Sequence, residues 1–392
     1  MKILVIIIAL LSFQRTIAQS YEELMELAGT QIKLERYKDA LQTFQRAFKN
    51  QAEIGKYDYA NASVAALRSG QSNLAIEWLA KGAKIGLGNS QEELFYFKND
   101  SIFKTIINDD SYRKVLSKME SQLLEKNKLD STWQYEILSN AISKGKGSYQ
   151  NATPGFALYY VNEGGLEIPY IVFIPGNYNP KKPTRAVFFL HGGVITGEAS
   201  FRIDPQTRLE PIFAIGDSTG SIIIYPFQKG NPGWKDYRHC SSVIAKILTE
   251  VKARYSVDIN TIYLGGLSMG GNVSYQFARG SGSPFRAFYA ISAKPKFADF
   301  ESGGSLVVTR PIYSLHAKDD SLYTYENLKN VYQQAKRYPL RWYLTTVETG
   351  GHGFPYHPAG RQPTLKFFRD MFLTEEGAGH CPPNLAFYVK RA

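Results

Sequence analysis

Residues that could crosslink the chain or hold a metal ion are scarce. The 392 residues include two cysteines, Cys240 and Cys381, and six histidines. Two cysteines permit at most one internal disulfide, which excludes a disulfide-dense scaffold. Neither cysteine has partners at zinc-type spacing, and no other cluster of ligands in the sequence suggests a metal or an organic cofactor, so we expect neither. Whether Cys240 and Cys381 pair stays open.

Long apolar runs and dense basic runs are also missing. No stretch beyond the N-terminus reaches the roughly 20 apolar residues that span a bilayer. Residues 19–150 hold 18 Lys and Arg against 17 Asp and Glu, whereas residues 151–392 hold 26 against 18. This basic excess can attract acidic substrates or anionic surfaces; the alternative is an ordinary solvated surface, which dispersed basic residues usually form. It contains no Lys/Arg cluster and no known nucleic-acid module, which argues against binding to DNA or RNA.

The first residues have the pattern of a secretory signal peptide. Lys2 supplies a positive charge, residues 3–11 are apolar, and the small residues Thr16 and Ala18 stand where signal peptidase cleaves. We expect residues 1–18 to be removed and the mature protein to be secreted or periplasmic. The alternative, a membrane anchor, would need a longer apolar run.

Residues 19–145 are predicted to form an all-helical domain, because apolar residues recur there at intervals of three and four. A weak repeat covers residues 21–87, in which Leu24 and Ala28 correspond to Tyr59 and Ser63 in the second copy. The pattern resembles the tetratricopeptide repeat, whose period is about 34 residues. No Trp opens either copy, and a plain helical bundle is the alternative. The resemblance implies a surface that can bind a partner protein.

In the rest of the chain the spacing of apolar residues is different. Residues 146–154 read as a linker, and in residues 155–392 short runs rich in Val, Ile, Tyr and Phe alternate with helical stretches. Several runs are apolar without alternation, as expected for strands covered on both faces. The pattern therefore predicts an α/β domain with a mostly parallel sheet and helices on both faces. The predicted strands are residues 165–174, 185–190, 221–225, 261–264, 287–291, 311–316 and 340–347.

The pattern Gly-x-Ser-x-Gly occurs twice. Residues 216–220 lie between a helical stretch and a predicted strand, which is the wrong order for a nucleophile elbow, so Ser218 is interpreted as part of a turn. Residues 266–270 follow the predicted strand 261–264 and precede a helical stretch. On such a turn the serine takes a strained backbone conformation, and flanking glycines avoid collisions. Ser268 is therefore the predicted nucleophile.

A serine hydroxyl needs a base and an orienting acid. His352 lies in a glycine-containing loop after the last predicted strand, from which its imidazole can reach the edge of the sheet. His357 is the alternative base. The acid is expected after the preceding strand, where Asp319 and Asp320 both stand. Position alone does not separate these two residues.

Residues 155–372 resemble the α/β-hydrolase superfamily, specifically the esterase branch with feruloyl esterases, polyhydroxybutyrate depolymerase-like proteins and dienelactone hydrolase. In that family the acid stands four residues after the histidine that ends its strand, which favours Asp320. The chain order Ser268, Asp320, His352 is also the order of α/β-hydrolases. The resemblance rests on residues 190–193 (LHGG), 262–271 (IYLGGLSMGG), 316–320 (HAKDD) and 351–353 (GHG).

The resemblance also implies an oxyanion hole made of backbone amides. The amides of Gly193 or Val194, after one strand, and of Met269, directly after the nucleophile, would hold the substrate oxygen. His191 is expected to brace this loop, and residues 228–237 to wall the substrate pocket.

The implied reaction is a two-step acyl transfer on a small-molecule or polymer-borne ester. Two alternatives remain. The first is a serine peptidase similar to prolyl oligopeptidase, although that group usually carries a β-propeller where this chain is predicted to be helical. The second is a non-catalytic adaptor whose helical repeats bind a partner. The acyl and alcohol groups cannot be read from the sequence.

Overall fold

The computed structural model describes residues 21–49, 54–141, 153–193, 201, 203, 205–229, 234, 236–279, 283–295, 308, 310–338 and 340–377. The predicted signal peptide, most of the predicted linker and Cys381 lie outside these residues. The chain divides into two compact units between Ser131 and Thr132. This division precedes the predicted linker because Trp133 and Ile137 belong to the core of the second unit. No helix within the described ranges is both long and apolar enough to cross a membrane.

All secondary-structure elements in the described part of the N-terminal unit are helices. Two successive helical pairs, α1–α2 and α3–α4, begin at Tyr21 and Lys56, 35 residues apart. Alanines such as Ala28 and Ala62 are fully buried where the helices pack, and their small side chains allow a close approach. Membership of the tetratricopeptide family stays a prediction. The helices are α1 (Tyr21–Lys33), α2 (Tyr37–Phe48), α3 (Lys56–Arg68), α4 (Ser72–Lys84), α5 (Gln91–Asn99), α6 (Ser101–Lys104) and α7 (Asp110–Ser139), whose residues after Ser131 belong to the second unit.

The C-terminal unit is built on one sheet of eight strands in the order β1-β2-β4-β3-β5-β6-β7-β8. β2 pairs antiparallel with β1 and β4, and all other neighbours pair parallel. The strands are β1 (Gly155–Glu163), β2 (Leu166–Ile174), β3 (Thr184–Leu190), β4 (Ile222–Pro226), β5 (Val257–Leu267), β6 (Ala287–Ile291), β7 (Ile312–Ala317) and β8 (Trp342–Val347). The helices are α8 (Pro211–Thr219), α9 (Tyr237–Arg254), α10 (Met269–Ala278), α11 (Tyr325–Ala335) and α12 (Pro358–Gly377).

Both faces of the sheet are buried, because successive residues of a strand point to opposite sides. In β3, Val187 packs in the cluster that includes α8 and α12, whereas Phe188 packs in the cluster that includes α9 and α10. Ile223 and Ile224 divide between the clusters in the same way. This explains why the strand runs are apolar without alternation. The predicted fold class, an α/β-hydrolase sheet preceded by an all-α region, is confirmed.

The first strand is absent from the strands predicted above. β1 and β2 form a hairpin in which Glu163 pairs with Leu166. The two residues between them, Gly164 and Gly165, have φ values of 59° and 83°. Positive φ at both positions is the requirement of a two-residue hairpin turn, and glycine meets it without strain. The Gly-Gly pair was therefore the signal in the sequence that marks this hairpin.

Candidate active site

The residues singled out from the sequence lie at one edge of the sheet. Ser268 follows β5, Asp320 follows β7 and His352 follows β8. Because these strands run parallel, their carboxyl ends share one edge, which is where open α/β sheets bind their ligands. The loop after β3, which begins with His191, reaches the same edge. Side chains distant in the chain are brought together in this way.

Ser268 has the backbone conformation of a nucleophile elbow. Its φ of 52° and ψ of −116° are sparsely populated for a residue with a side chain. Hydrogen bonds on both sides hold it there: its amide donates to Ile291 O over 2.9 Å, and its carbonyl accepts from the Asn272 amide over 2.8 Å. The residue is 8% exposed. The hydroxyl is thus fixed at the N-terminus of α10, where backbone amides attract negative charge.

The glycines that flank the elbow are required by the end of β3. A Cβ on Gly266 would lie 2.0 Å from Leu190 O, and a Cβ on Gly270 would lie 1.9 Å from the same oxygen. These distances are far below any tolerable contact. Only glycine therefore lets β3 pass this close to the turn.

Three side chains form a continuous hydrogen-bonded chain. Ser268 Oγ and His352 Nε2 are 2.9 Å apart, and His352 Nδ1 and Asp320 Oδ2 are 2.9 Å apart. With Nδ1 protonated, the imidazole donates to the carboxylate and accepts from the hydroxyl. His357, the alternative base, is exposed, and the structure does not bring it to Ser268. The arrangement can withdraw a proton from the hydroxyl as it attacks.

Asp320 is almost completely buried, at 2% exposure. Its Oδ1 accepts from the backbone amides of Leu322 and Tyr323 over 2.9 and 2.8 Å, which leaves Oδ2 for His352. His316 lies beside it and donates through Nε2 to Tyr323 O over 2.7 Å. Desolvation lowers the pKa of His316, so this second imidazole stays neutral beside the acid. The turn after β7 is thus shaped around one carboxylate.

Asp319, the other candidate acid, has a different partner. Its carboxylate accepts from the amides of Gly350 and Gly351 over 2.9 and 2.8 Å. These glycines have φ values of 119° and 62° and directly precede His352. Asp319 therefore anchors the loop that carries the imidazole and does not touch the imidazole itself. The sequence analysis missed this role.

Tyr323 and Asn272 make a further set of contacts around His352 and Ser268, which no pattern in the sequence indicated. The Tyr323 ring stands edge-on to the His352 ring, with centroids 5.1 Å apart. Asn272 Nδ2 donates to Tyr323 Oη over 3.2 Å, and Asn272 Oδ1 accepts from the Lys294 amide over 2.6 Å. Asn272 thereby ties the nucleophile helix to the segments after β6 and β7.

The predicted oxyanion loop passes directly beside Ser268. A Cβ on Gly192 would lie 3.1 Å from Ser268 Cβ. The next residue, Gly193, has a φ of 62° and has nothing within 4 Å of its Cβ position. Met269 is the first residue of α10. Val194 lies outside the described residues.

His191 is enclosed by aromatic rings at the start of this loop. It stacks on Tyr225 and meets Trp234 edge-on, with centroids 5.6 and 5.3 Å away. Its Nε2 accepts from the Gln228 amide over 3.1 Å, and its carbonyl accepts from Trp234 Nε1 over 2.8 Å. Desolvation lowers the pKa of His191, which keeps Nε2 available as an acceptor. These contacts fit a bracing role for His191.

In the parts of the chain that the structure describes, no group of three or more His, Cys, Asp or Glu could hold a metal ion.

The strand order, the elbow and the order of these side chains define an α/β-hydrolase fold. No family model matches the chain. A stretch of 174 residues is 24% identical to a bifunctional acetylxylan esterase/xylanase of Neocallimastix patriciarum, and it covers 43% of this chain and 24% of that relative. A stretch of 130 residues is 31% identical to a probable feruloyl esterase C of Aspergillus oryzae, and it covers 31% of this chain and 45% of that relative. The chain thus spans less than half the length of either esterase.

Among solved structures, an esterase of Thermogutta terrifontis with propionate bound is similar to this chain. The TM-score is 0.46 and the identity 16%, over 57% of this chain and 95% of that one. The fold is assigned from the strand order and not from this likeness.

The close approach of β3 to the elbow predicts the effect of adding one methyl group. Gly270→Ala would force Leu190 O and the elbow apart, so we expect it to lower the free energy of unfolding by about 2–3 kcal/mol or to prevent folding. Gly377→Ala at the end of α12 is the control, because nothing lies within 4 Å of its Cβ position. Urea unfolding of both variants measures the difference. Equal stabilities would contradict the crowding argument.

The different partners of the two adjacent aspartates predict unequal effects on turnover of a p-nitrophenyl ester. Asp320→Ala removes the carboxylate that orients His352, and we expect kcat to fall about 10³- to 10⁴-fold. Asp319→Ala frees the glycine loop but leaves the hydrogen-bonded chain in place, and we expect a loss of about tenfold. Circular dichroism controls for folding. A larger loss for Asp319→Ala would identify that residue as the orienting acid.

Proposed function

We propose that this protein is an exported serine hydrolase that cleaves carboxylic esters, with Ser268 as nucleophile, His352 as base and Asp320 as orienting acid. The observation that carries the proposal is the pair of 2.9 Å hydrogen bonds that link these three side chains. A serine hydroxyl becomes a competent nucleophile only when a positioned base takes its proton. The partial sequence similarity to two esterases supports an ester as the substrate.

The proposed reaction has two halves. Ser268 Oγ attacks the ester carbonyl while His352 Nε2 takes the hydroxyl proton, and Asp320 stabilises the resulting imidazolium. The C–O bond to the alcohol then breaks, the alcohol leaves with the proton from His352, and an acyl-enzyme remains. Water attacks this acyl-enzyme with His352 again as base, which releases the acid and restores the hydroxyl.

In this proposal the negative charge that develops on the carbonyl oxygen is held by backbone amides. The Met269 amide at the N-terminus of α10 is one donor, and the amide of Gly193 or Val194 is the other. Gly192 supports this assignment because its Cβ position is in contact with Ser268. Each donor of this kind contributes about 3–4 kcal/mol to lowering the barrier.

The remaining parts of the chain have roles that follow from the sequence. We infer that residues 1–18 direct export and that the substrate is a small-molecule or polymer-borne ester. The helical unit, with its pairs repeated at 35 residues, is the proposed binding surface for a partner protein. No cofactor takes part in the proposed steps.

The two Gly-x-Ser-x-Gly copies supply a matched pair of variants for the test. We expect Ser268→Ala to abolish hydrolysis of a p-nitrophenyl ester and labelling by a fluorophosphonate probe. Ser218→Ala should retain both, because Ser218 lies exposed on the last turn of α8. Thermal unfolding controls for the fold of each variant. A fully active Ser268→Ala variant would place the nucleophile elsewhere.

The same preparation separates the alternative functions. A serine peptidase would accelerate the hydrolysis of a peptide amide, over its uncatalysed rate, by a larger factor than the hydrolysis of the ester. A non-catalytic adaptor would neither be labelled nor turn over either substrate. Labelling at Ser268 with ester turnover alone is the result that we expect.

A further inference from the structure

A cavity of about 150 Å³ lies between the segments that follow β6 and β7. One wall is formed by residues 293–295, a second by residues 322–324, and a third by the first half of α11. Most of the lining is apolar and would suit methylene groups, since it includes Ala293, Pro295, Leu322, Leu328 and Val331. No step of the proposed reaction uses this space.

One wall of this cavity contacts the proposed base, and Asn272 links two of its walls to the backbone of the proposed nucleophile. Tyr323, in the second wall, packs edge-on against His352. Asn272 bonds to the Tyr323 hydroxyl and to the Lys294 amide, and its own amide donates to Ser268 O. A group held in the cavity would therefore lie next to Tyr323, and so one side chain away from His352.

Lys294 is the one charged residue among those that line the cavity. Its side chain is exposed, and no carboxylate in the described segments is paired with it. Asp319 and Asp320, in the segment after β7, have other partners, because Asp319 accepts from two glycine amides and Asp320 is bonded to His352. An exposed ammonium with three donors and no acidic partner among the described residues, beside an apolar space, is suited to bind an anion.

We propose that Lys294 binds a carboxylate on the ester substrate, so that this site favours esters that carry a negative charge a few methylene groups from the scissile bond. The inference rests on the proposed ester hydrolase function and narrows its substrate class. The basic excess of residues 151–392, 26 Lys and Arg against 18 Asp and Glu, supports it, because this charge attracts anionic substrates to the whole domain. The carboxylate can belong to the acyl part or to the alcohol part of the ester.

Two pairs of substrates of similar chain length, each with one charged and one neutral ester, distinguish these sources. Monoethyl succinate against ethyl butyrate tests a charge on the acyl part, and butyryloxyacetate against propyl butyrate tests a charge on the alcohol part. The variants are Lys294→Met, which removes the charge and keeps the apolar stem, and Lys294→Glu, which reverses the charge. Lys252→Met, on the exposed side of α9, is the control for a loss of charge elsewhere in the domain.

We expect Lys294→Met to lower kcat/KM for the charged ester of one pair about fivefold and to leave both neutral esters unchanged. Lys294→Glu should lower it further and should favour the cationic ester ethyl 4-aminobutyrate. The preference for the charged ester should shrink in 0.5 M NaCl, because salt screens the attraction. Lys252→Met should leave the preference for the charged over the neutral ester unchanged in both pairs.

Two results would overturn the inference. In the first, the Lys294 variants leave the ratio of kcat/KM for the charged ester to kcat/KM for the neutral ester unchanged in both pairs. In the second, Lys294→Met lowers kcat/KM equally for charged and neutral esters, which would mean that Lys294 supports only the local structure. Failure of the proposed function itself would be visible separately, because the unmodified protein would then hydrolyse neither ethyl butyrate nor propyl butyrate.

Discussion

The close approach of three backbone segments around Ser268 is the constraint on which the rest of the site depends. β3 ends against the elbow so tightly that neither Gly266 nor Gly270 could carry a side chain. The strained conformation of Ser268 costs about 1–3 kcal/mol, and the surrounding hydrogen-bonded sheet and helix offset that cost. The same packing that strains the turn also places Gly192, in the loop after β3, beside Ser268. The strain at Ser268 and the closeness of this loop therefore have one cause.

Features that depend on local sequence could be predicted. The apolar runs gave most strands because both faces of the sheet are covered, and Ser268 was identifiable because its glycines and flanking elements are contiguous. His352 followed from its place after the last strand. β1 is missing from the prediction because it pairs antiparallel at the edge of the sheet and precedes the βαβ alternation. The glycines at positions 164 and 165 predict the turn of the hairpin, but they do not by themselves predict the strand before it.

Features that depend on contacts between distant segments could not be predicted. Asp319 and Asp320 are adjacent carboxylates, and their positions in the chain do not separate them: in the structure one meets the glycine loop after β8, and the other is buried against the imidazole. The hydrogen bond from Asn272 to Tyr323 joins residues 51 positions apart. No sequence pattern predicts a contact of this kind. The family resemblance favoured Asp320, but it gave no role to Asp319.

The two Gly-x-Ser-x-Gly copies show that the meaning of this pattern comes from the elements on either side. In the copy at α8, Gly220 ends a helix in the left-handed conformation, with a φ of 63°, and the chain then enters β4. Glycine there satisfies the helix C-terminus, and Ser218 stays helical without strain. In the copy at α10 the order is reversed, and the serine itself takes the positive φ. A short motif therefore predicts chemistry only when the strand precedes it, because only then is the side chain lifted above the carboxyl edge of the sheet.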